Sequence, residues 1–367
     1  MKKFLFLACA IALVIPASAQ NFSGKIEKNA VKAVCDAVSD WEVDNFETSK
    51  KKPDNWTSGA LYRGMYEWAE LTENAKAFKF LTKIGKSINW RPGPKTYHAD
   101  HTTVLQTWIK MYGRIGKPDV IRPAMERLYF VATHPSDAPL RKDHKVGKDD
   151  RWSWCDALFM APPAYAQMYA LTGDKVYLEY MENEFKACTD SLYDRDEKLY
   201  YRDCKYIPMR EANGKKIFWG RGNGWVFAGI PLILDALPEN YANRAYFTGI
   251  FTEMADRIVG LQDKKGHWHA SMLDPDSYPF PENSASAFFC YGIAWGLRTG
   301  VLEGKKYEKA LQKGWTALVS GIHDNGMPGY IQPIGASPKS ADFDATEIYG
   351  AGGILLAGSE ITRLLSK

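Results

Sequence analysis

The sequence predicts an all-α protein, a closed (α/α)6 barrel built from six helical hairpins. Three observations carry this. Apolar residues recur at helical spacing along nearly the whole chain, marking about twelve segments. Some neighbouring segments are joined by tight, glycine-ended turns. Others are joined by long connections rich in Trp, Asp, His and Gly. An open helical solenoid is the alternative arrangement of such hairpins, but solenoid repeats are more uniform in length than these.

Val31, Val34, Val38 and Trp41 define the first helix by their 3–4–3 spacing. The same pattern continues over 57–72, 73–90, 100–115, 118–134, 155–172, 174–190, 222–237, 240–262, 283–299, 304–320 and 345–365. At Ile115-Gly116-Lys117-Pro118 a glycine can close one helix in the left-handed conformation and a proline can start the next. Thr172-Gly173-Asp174 and Arg298-Thr299-Gly300 repeat that punctuation. Turns this short fold helices back on each other as antiparallel pairs. The long connections are 91–100, 135–155, 191–221 and 263–283, with a short β segment expected at Lys198 to Lys205. In a barrel the short turns then sit at one end, and the chemically loaded loops line a pocket at the other.

The first residues, MKKFLFLACAIALVIPASAQ, read as an export signal. Lys2 and Lys3 precede an apolar run from Phe4 to Ile15, and Ala17-Ser18-Ala19 suits a signal peptidase. The expectation is a cleaved segment 1–19 and one catalytic domain over 20–367, periplasmic or secreted. The net charge of +4 falls to about +2 once both lysines are removed. Such balance does not imply nucleic acid or anionic lipid as a partner, and neither is expected. Five cysteines remain, Cys35, Cys155, Cys188, Cys204 and Cys290, with no Cys-x-x-Cys, which fits buried thiols better than a disulfide framework or a zinc site. Aromatic residues make up 13% of the chain, including 12 Trp. They suit either a large core or the stacking of sugar rings.

Four clusters can carry chemistry. In RWSWCDALFMAPPAYAQMYALTG (151–173), Asp156 stands where a loop turns into a helix. Helix capping is the plain reading. Trp152 and Trp154 would desolvate the carboxylate and raise its pKa, as a proton donor needs, whereas the helix N-terminus favours the charged form. In TYHADHTTVLQTW (96–108), Asp100 again precedes a helix, beside His98 and His101. It caps that helix, or it serves as a second carboxylate that divides acid and base roles with Asp156. In FWGRGNGWVFAGI (218–230), Arg221 offers a bidentate partner for a carboxylate, and Trp219 and Trp225 can frame a ring. The fourth cluster, 266–296, holds His267, His269 and Glu282. The two histidines lack a third ligand, so no metal is expected, and Glu282 reads as a helix cap.

W-x-D-A-L-F-M-A-P-P (154–163) and W-G-R-G-N-G-W (219–225) resemble the unsaturated uronyl hydrolases. The resemblance is chiefly to glycoside hydrolase family 105, the unsaturated rhamnogalacturonyl hydrolases, and next to the unsaturated glucuronyl hydrolases of family 88. It spans most of the mature chain and implies the (α/α)6 barrel. It also implies a substrate whose non-reducing end is a 4,5-unsaturated uronic acid left by a polysaccharide lyase, from pectin, ulvan or a glycosaminoglycan. The implied acid is Asp156, which protonates the C4=C5 vinyl ether; water adds at C5 and the hemiketal collapses. Asp100 matches the second carboxylate, and Trp154, Trp219, Arg221 and Trp225 match the substrate pocket. Where relatives commonly place a histidine this chain has Arg202, a cation that would suit a more acidic or sulfated partner sugar. His144 corresponds loosely to another pocket histidine. The implied enzyme needs no cofactor and acts as a monomer. Two readings compete with it. One is an inverting glycosidase on saturated glycosides, with Asp156 as acid and Asp100 as base. The other is a secreted sugar-binding module without turnover.

Overall fold

Where the sequence shows helical periodicity, the chain folds into thirteen α-helices among the described residues. The computed structural model describes residues 22–140 and 150–367, so the expected signal segment 1–19 and His144 lie outside it. In chain order the helices are α1 Lys28–Asn45, α2 Trp56–Thr72, α3 Ala75–Ser87, α4 Leu105–Ile115, α5 Pro118–Thr133, α6 Ala157–Met160 and α7 Pro162–Thr172. They continue with α8 Lys175–Leu192, α9 Gly220–Ala236, α10 Arg244–Gly260, α11 Asn283–Thr299, α12 Lys305–Val319 and α13 Ile348–Leu364. Two of the expected helices are broken. The 155–172 segment divides into α6 and α7 because Pro162 and Pro163 lack N–H donors and open a new helix. The 100–115 segment begins as a 3-10 turn, Ala99–Thr102, before α4.

The helices form two concentric rings. Helices α2, α4, α7, α9, α11 and α13 are inner, each touching the next, and α13 closes onto both α11 and α2. This closure is what separates a barrel from a solenoid. Apolar and small residues cover most of the inner helices, which are buried on nearly every side, as from Thr57 to Ala69 in α2 and from Ile348 to Ile361 in α13. The outer helices α1, α3, α5, α8, α10 and α12 each bury one stripe, such as Val31, Val34, Cys35 and Val38 of α1. At the closing seam the backbones nearly touch. A Cβ on Gly352 would lie 2.2 Å from the Ala60 oxygen, and one on Gly64 would lie 2.0 Å from the Gly352 oxygen.

Short turns gather at the C-terminal ends of the inner helices. Gly116 and Gly173 take left-handed φ values of 70° and 74°, and each amide closes its helix onto Tyr112 or Tyr169. Asp174 then caps α8, accepting the Val176 amide at 3.0 Å. At this end Glu67 pairs with Arg63, Lys110 and Arg363, joining α2, α4 and α13. The long loops lie at the opposite end, above the N-termini of the inner helices. The expected β segment at Lys198 to Lys205 is shorter than predicted: β2 (Leu199–Tyr200) pairs with β1 (Tyr193–Asp194), Asp203 makes a single bridge to Trp154, and Cys204–Tyr206 is a 3-10 turn.

Candidate active site

Asp156 sits at the foot of a loop that is fastened on both sides. Arg151 Nε donates to both carboxylate oxygens of Glu184, at 2.7 and 2.8 Å, fixing the start of the loop to α8. The Cys155 amide donates to the Arg202 carbonyl at 2.9 Å, and Trp154 pairs its backbone with Asp203. The 152–156 and 202–204 segments are thereby zipped together, with Arg202 beside the carboxylate. Gly222 lets α9 pass close by: a Cβ there would lie 3.1 Å from the Cys155 sulfur.

The Asp156 carboxylate does not cap α6. It is only 9% exposed, with the Cys155 thiol 3.5 Å and Arg202 Nε 3.6 Å from its Oδ2. Burial raises its pKa above the usual carboxylate range, and Arg202 and then Arg221 pull against that rise without cancelling it. The Cys155 and Cys188 thiols nearby are pushed up by burial and stay neutral. Arg202 donates Nη1 to Asp203 at 2.5 Å, and its buried Nε has no hydrogen-bond partner among the described residues.

Asp100 comes to the same end. The Ala99–Thr102 turn packs against α6, and Gln106 of α4 donates to the Phe159 carbonyl of α6 at 2.7 Å. His98 accepts the Asp100 amide at 3.3 Å, and its ring lies 5.0 Å from that of Trp154. The turn that carries Asp100 therefore adjoins the helix that Asp156 begins.

The W-G-R-G-N-G-W segment behaves differently from its sequence expectation. Arg221 is fully buried. It donates Nη1 to the Gln332 carbonyl at 2.5 Å and Nη2 to the Pro333 carbonyl at 3.0 Å. Its guanidinium lies 4.4 Å from the Trp219 ring and 4.9 Å from that of Tyr349. A group so enclosed is a strut for the 331–335 loop, and its charge reaches Asp156 only as a field. Trp225 is likewise fully buried, packed on Phe159 and Phe288 at ring distances of 4.7 and 4.3 Å, and frames no open ring site. Trp219 turns its Nε1 to the Gln332 side chain at 2.9 Å. Asn223 ties β2 to α9 by exchanging hydrogen bonds with the Tyr200 backbone.

Glu282 is a cap, as expected. It accepts the Ser284 and Ala285 amides and also the Gln332 amide at 3.1 Å. His269 is held by the Tyr278 and Phe280 carbonyls, and no group of three or more potential metal ligands is found among the described residues. Gln332, Tyr349 and Trp56, which stacks on Tyr349 at 5.2 Å, escaped the sequence reading. They lie far along the chain from the motifs they serve, in segments without a distinctive pattern. A cleft of about 1280 Å³ runs elsewhere, along α5 and the 88–96 loop, and is lined by neither carboxylate.

Comparison with known proteins agrees with this architecture. The sequence model of Glycosyl Hydrolase Family 88 matches residues 29–365. An unsaturated 3S-rhamnoglycuronyl hydrolase from Alteromonas sp. is 32% identical over 359 residues, covering 91% of this chain and 86% of that protein. A protein of the same name from Formosa agariphila is 36% identical over 331 residues, covering 85% of each. Among solved structures, a family 88 glycosyl hydrolase from Bacteroides vulgatus superposes with a TM-score of 0.82 at 27% identity, over 92% of this chain and 99% of that one.

Proposed function

The chain belongs to Glycosyl Hydrolase Family 88, and from that membership we propose that it removes a 4,5-unsaturated uronic acid from the non-reducing end of lyase-generated oligosaccharides. The sugar next to the unsaturated uronate is rhamnose, a choice supported by the names of the two relatives that cover most of this chain. The observation that carries the reaction type is Asp156: a carboxyl group raised by burial, free of any capping duty, with a guanidinium at its edge. Such a group is protonated at a pH where an ordinary aspartate is not, and can act as a general acid.

Asp156 delivers its proton to C4 of the vinyl ether, leaving an oxocarbenium ion shared by C5 and the ring oxygen. Water adds at C5 and gives up a proton, with Asp100 as the second carboxylate at that end of the barrel. The hemiketal then opens to a C5 ketone, and the hemiacetal at C1 releases the next sugar. Arg202, the cation beside Asp156, receives the uronate carboxylate, while Trp154 and Trp219 shape the pocket. The export-signal pattern of residues 1–19 supports work in the periplasm or outside the cell.

The conjugated enol carboxylate absorbs ultraviolet light and its hydration product does not. Ulvan-lyase oligosaccharides should lose absorbance with the protein, and saturated rhamnosyl glucuronides should remain intact. A flat trace on lyase digests of rhamnogalacturonan, glycosaminoglycan and ulvan, with cleavage of saturated glycosides instead, would overturn the reading.

A further inference from the structure

We propose that Arg202 changes partners on binding, from Asp156 to the carboxylate of the incoming uronate, and that this exchange loads Asp156 with the proton it then delivers. The inference rests on the reaction just described and concerns how its acid is charged.

Arg202 and Arg221 both act on Asp156, and they differ in freedom. Arg221 is locked by the Gln332 and Pro333 carbonyls and fully buried, so its field is the same with or without substrate. Among the described residues, Arg202 is tethered at one nitrogen, by Asp203, and its side chain keeps 21% exposure. Its buried Nε lies 3.6 Å from Asp156, beyond a formed hydrogen bond, and has no other acceptor among the described residues. The Nε–Nη2 edge of a guanidinium is one that a carboxylate can take with both oxygens.

The chemistry of the substrate brings a carboxylate to that edge. Asp156 must reach C4, and the carboxylate carbon is bonded to C5, two bonds from C4. Any pose that allows proton transfer therefore sets the uronate carboxylate next to Asp156, within reach of Arg202. One guanidinium then faces two carboxylates. The substrate group, an ordinary strong carboxylic acid, keeps its charge; the buried Asp156 loses its counter-ion and takes up a proton from solvent. The exchange balances as one proton bound per substrate bound, passed to C4 in the chemical step and restored to the medium by the water that adds at C5.

Other groups around Asp156 do not compete for the role. Cys155 on its own loop and Cys188 on α8 are neutral thiols. Asp203, beside Arg202, is engaged by that guanidinium and by the Lys205 amide. On the Ala99–Thr102 side stand Asp100, His98 and His101, the last lowered by burial and hence neutral near pH 7.

The test is the pH dependence of turnover of ulvan-lyase oligosaccharides, followed by loss of ultraviolet absorbance. The alkaline limb of kcat/KM reports the free enzyme, and that of kcat reports the complex. The exchange places the kcat limb at least about one pH unit higher, a tenfold difference in protonated fraction. In Arg202→Gln the free-enzyme limb should rise and the gap close. Arg202→Lys, which keeps the charge without the fork, should retain the gap with a raised KM and serves if the glutamine variant does not fold. Coincident limbs in the unaltered protein, or a gap that survives Arg202→Gln, would overturn the exchange while leaving the reaction in place. Absence of any absorbance loss at every pH would instead remove the reaction itself.

Discussion

Arg221 Nη1 and the Tyr349 hydroxyl donate to a single oxygen, the carbonyl of Gln332, more than a hundred residues along the chain from Arg221. A cation from α9 and a phenol from α13 thus hold one loop between two inner helices, and the same loop receives Trp219 and Glu282.

Arg221→Gln should therefore damage the fold more than a surface change would. It leaves the buried Gln332 carbonyl with the Tyr349 hydroxyl alone, and the part-buried Pro333 carbonyl without its charged donor. The expected loss is about 2–4 kcal/mol. Urea denaturation measures it, and a loss below about 1 kcal/mol would show that the strut is dispensable.

Asp156→Asn separates chemistry from stability. Turnover should fall by at least about a hundredfold, the scale of general acid catalysis. Stability should not fall at neutral pH. A carboxyl raised by burial favours the folded state at low pH, and loses that contribution as pH climbs through its folded pKa, so a neutral amide gives nothing up there. Denaturation midpoints and initial rates on the same preparation check both halves.

Glu42 offers a pH prediction away from the site. It is buried on α1 beside a cavity of about 70 Å³, facing Glu347 and Lys51. Burial first, and Glu347 second, raise its pKa from about 4.5 to about 8, with Lys51 opposing. Between those values the folded chain holds a proton that the unfolded chain releases. The stability it contributes is complete below about pH 4.5 and is lost as pH rises through about 8. The slope is at most about 1.4 kcal/mol per pH unit. Glu42→Gln should flatten the fall in thermal midpoint between pH 5 and 8; an unchanged slope would assign it to other groups.

The seam between α2 and α13 has its own test. Gly352→Ala drives a Cβ to 2.2 Å from the Ala60 oxygen, where backbone must move. A cost of about 2–3 kcal/mol or more is expected. Gly113→Ala, where a Cβ meets nothing within 4 Å, is the matched control and should stabilise by about 0.5–1 kcal/mol. Equal effects for the two would mean that the seam has slack.

The helices and the glycine punctuation were legible in the sequence because both are local. Periodicity lies within a helix, and a left-handed glycine closes the turn next to it. The two carboxylates were legible as loop-to-helix positions, and the contact between the Asp100 turn and α6 followed once the ring was assumed. What Arg221 and Trp225 do was not legible. A guanidinium and an indole flanked by glycines resemble an open binding site, and only the 331–335 loop and the packing of Phe159 and Phe288 turn them inward. Arg202, read from sequence as a departure from the family, lies with its buried Nε 3.6 Å from Asp156 and without a hydrogen-bond partner among the described residues. Nothing near it in the sequence marks that position, which is set by the backbone pairing of 154–155 with 202–203.

The closure of α13 onto α2 has a kinetic consequence. These helices stand at nearly opposite extremes of the described chain, so the contacts that complete the ring are among its most distant in sequence. Each earlier hairpin can form from neighbouring residues, but the seam must gather an ordered array before it gains anything, and such long-range contacts slow folding. A chain emerging from the ribosome meets α2 early and α13 after every other helix. Until then the apolar flank of α2 has no partner, and this is the surface on which misassembly or a chaperone would act.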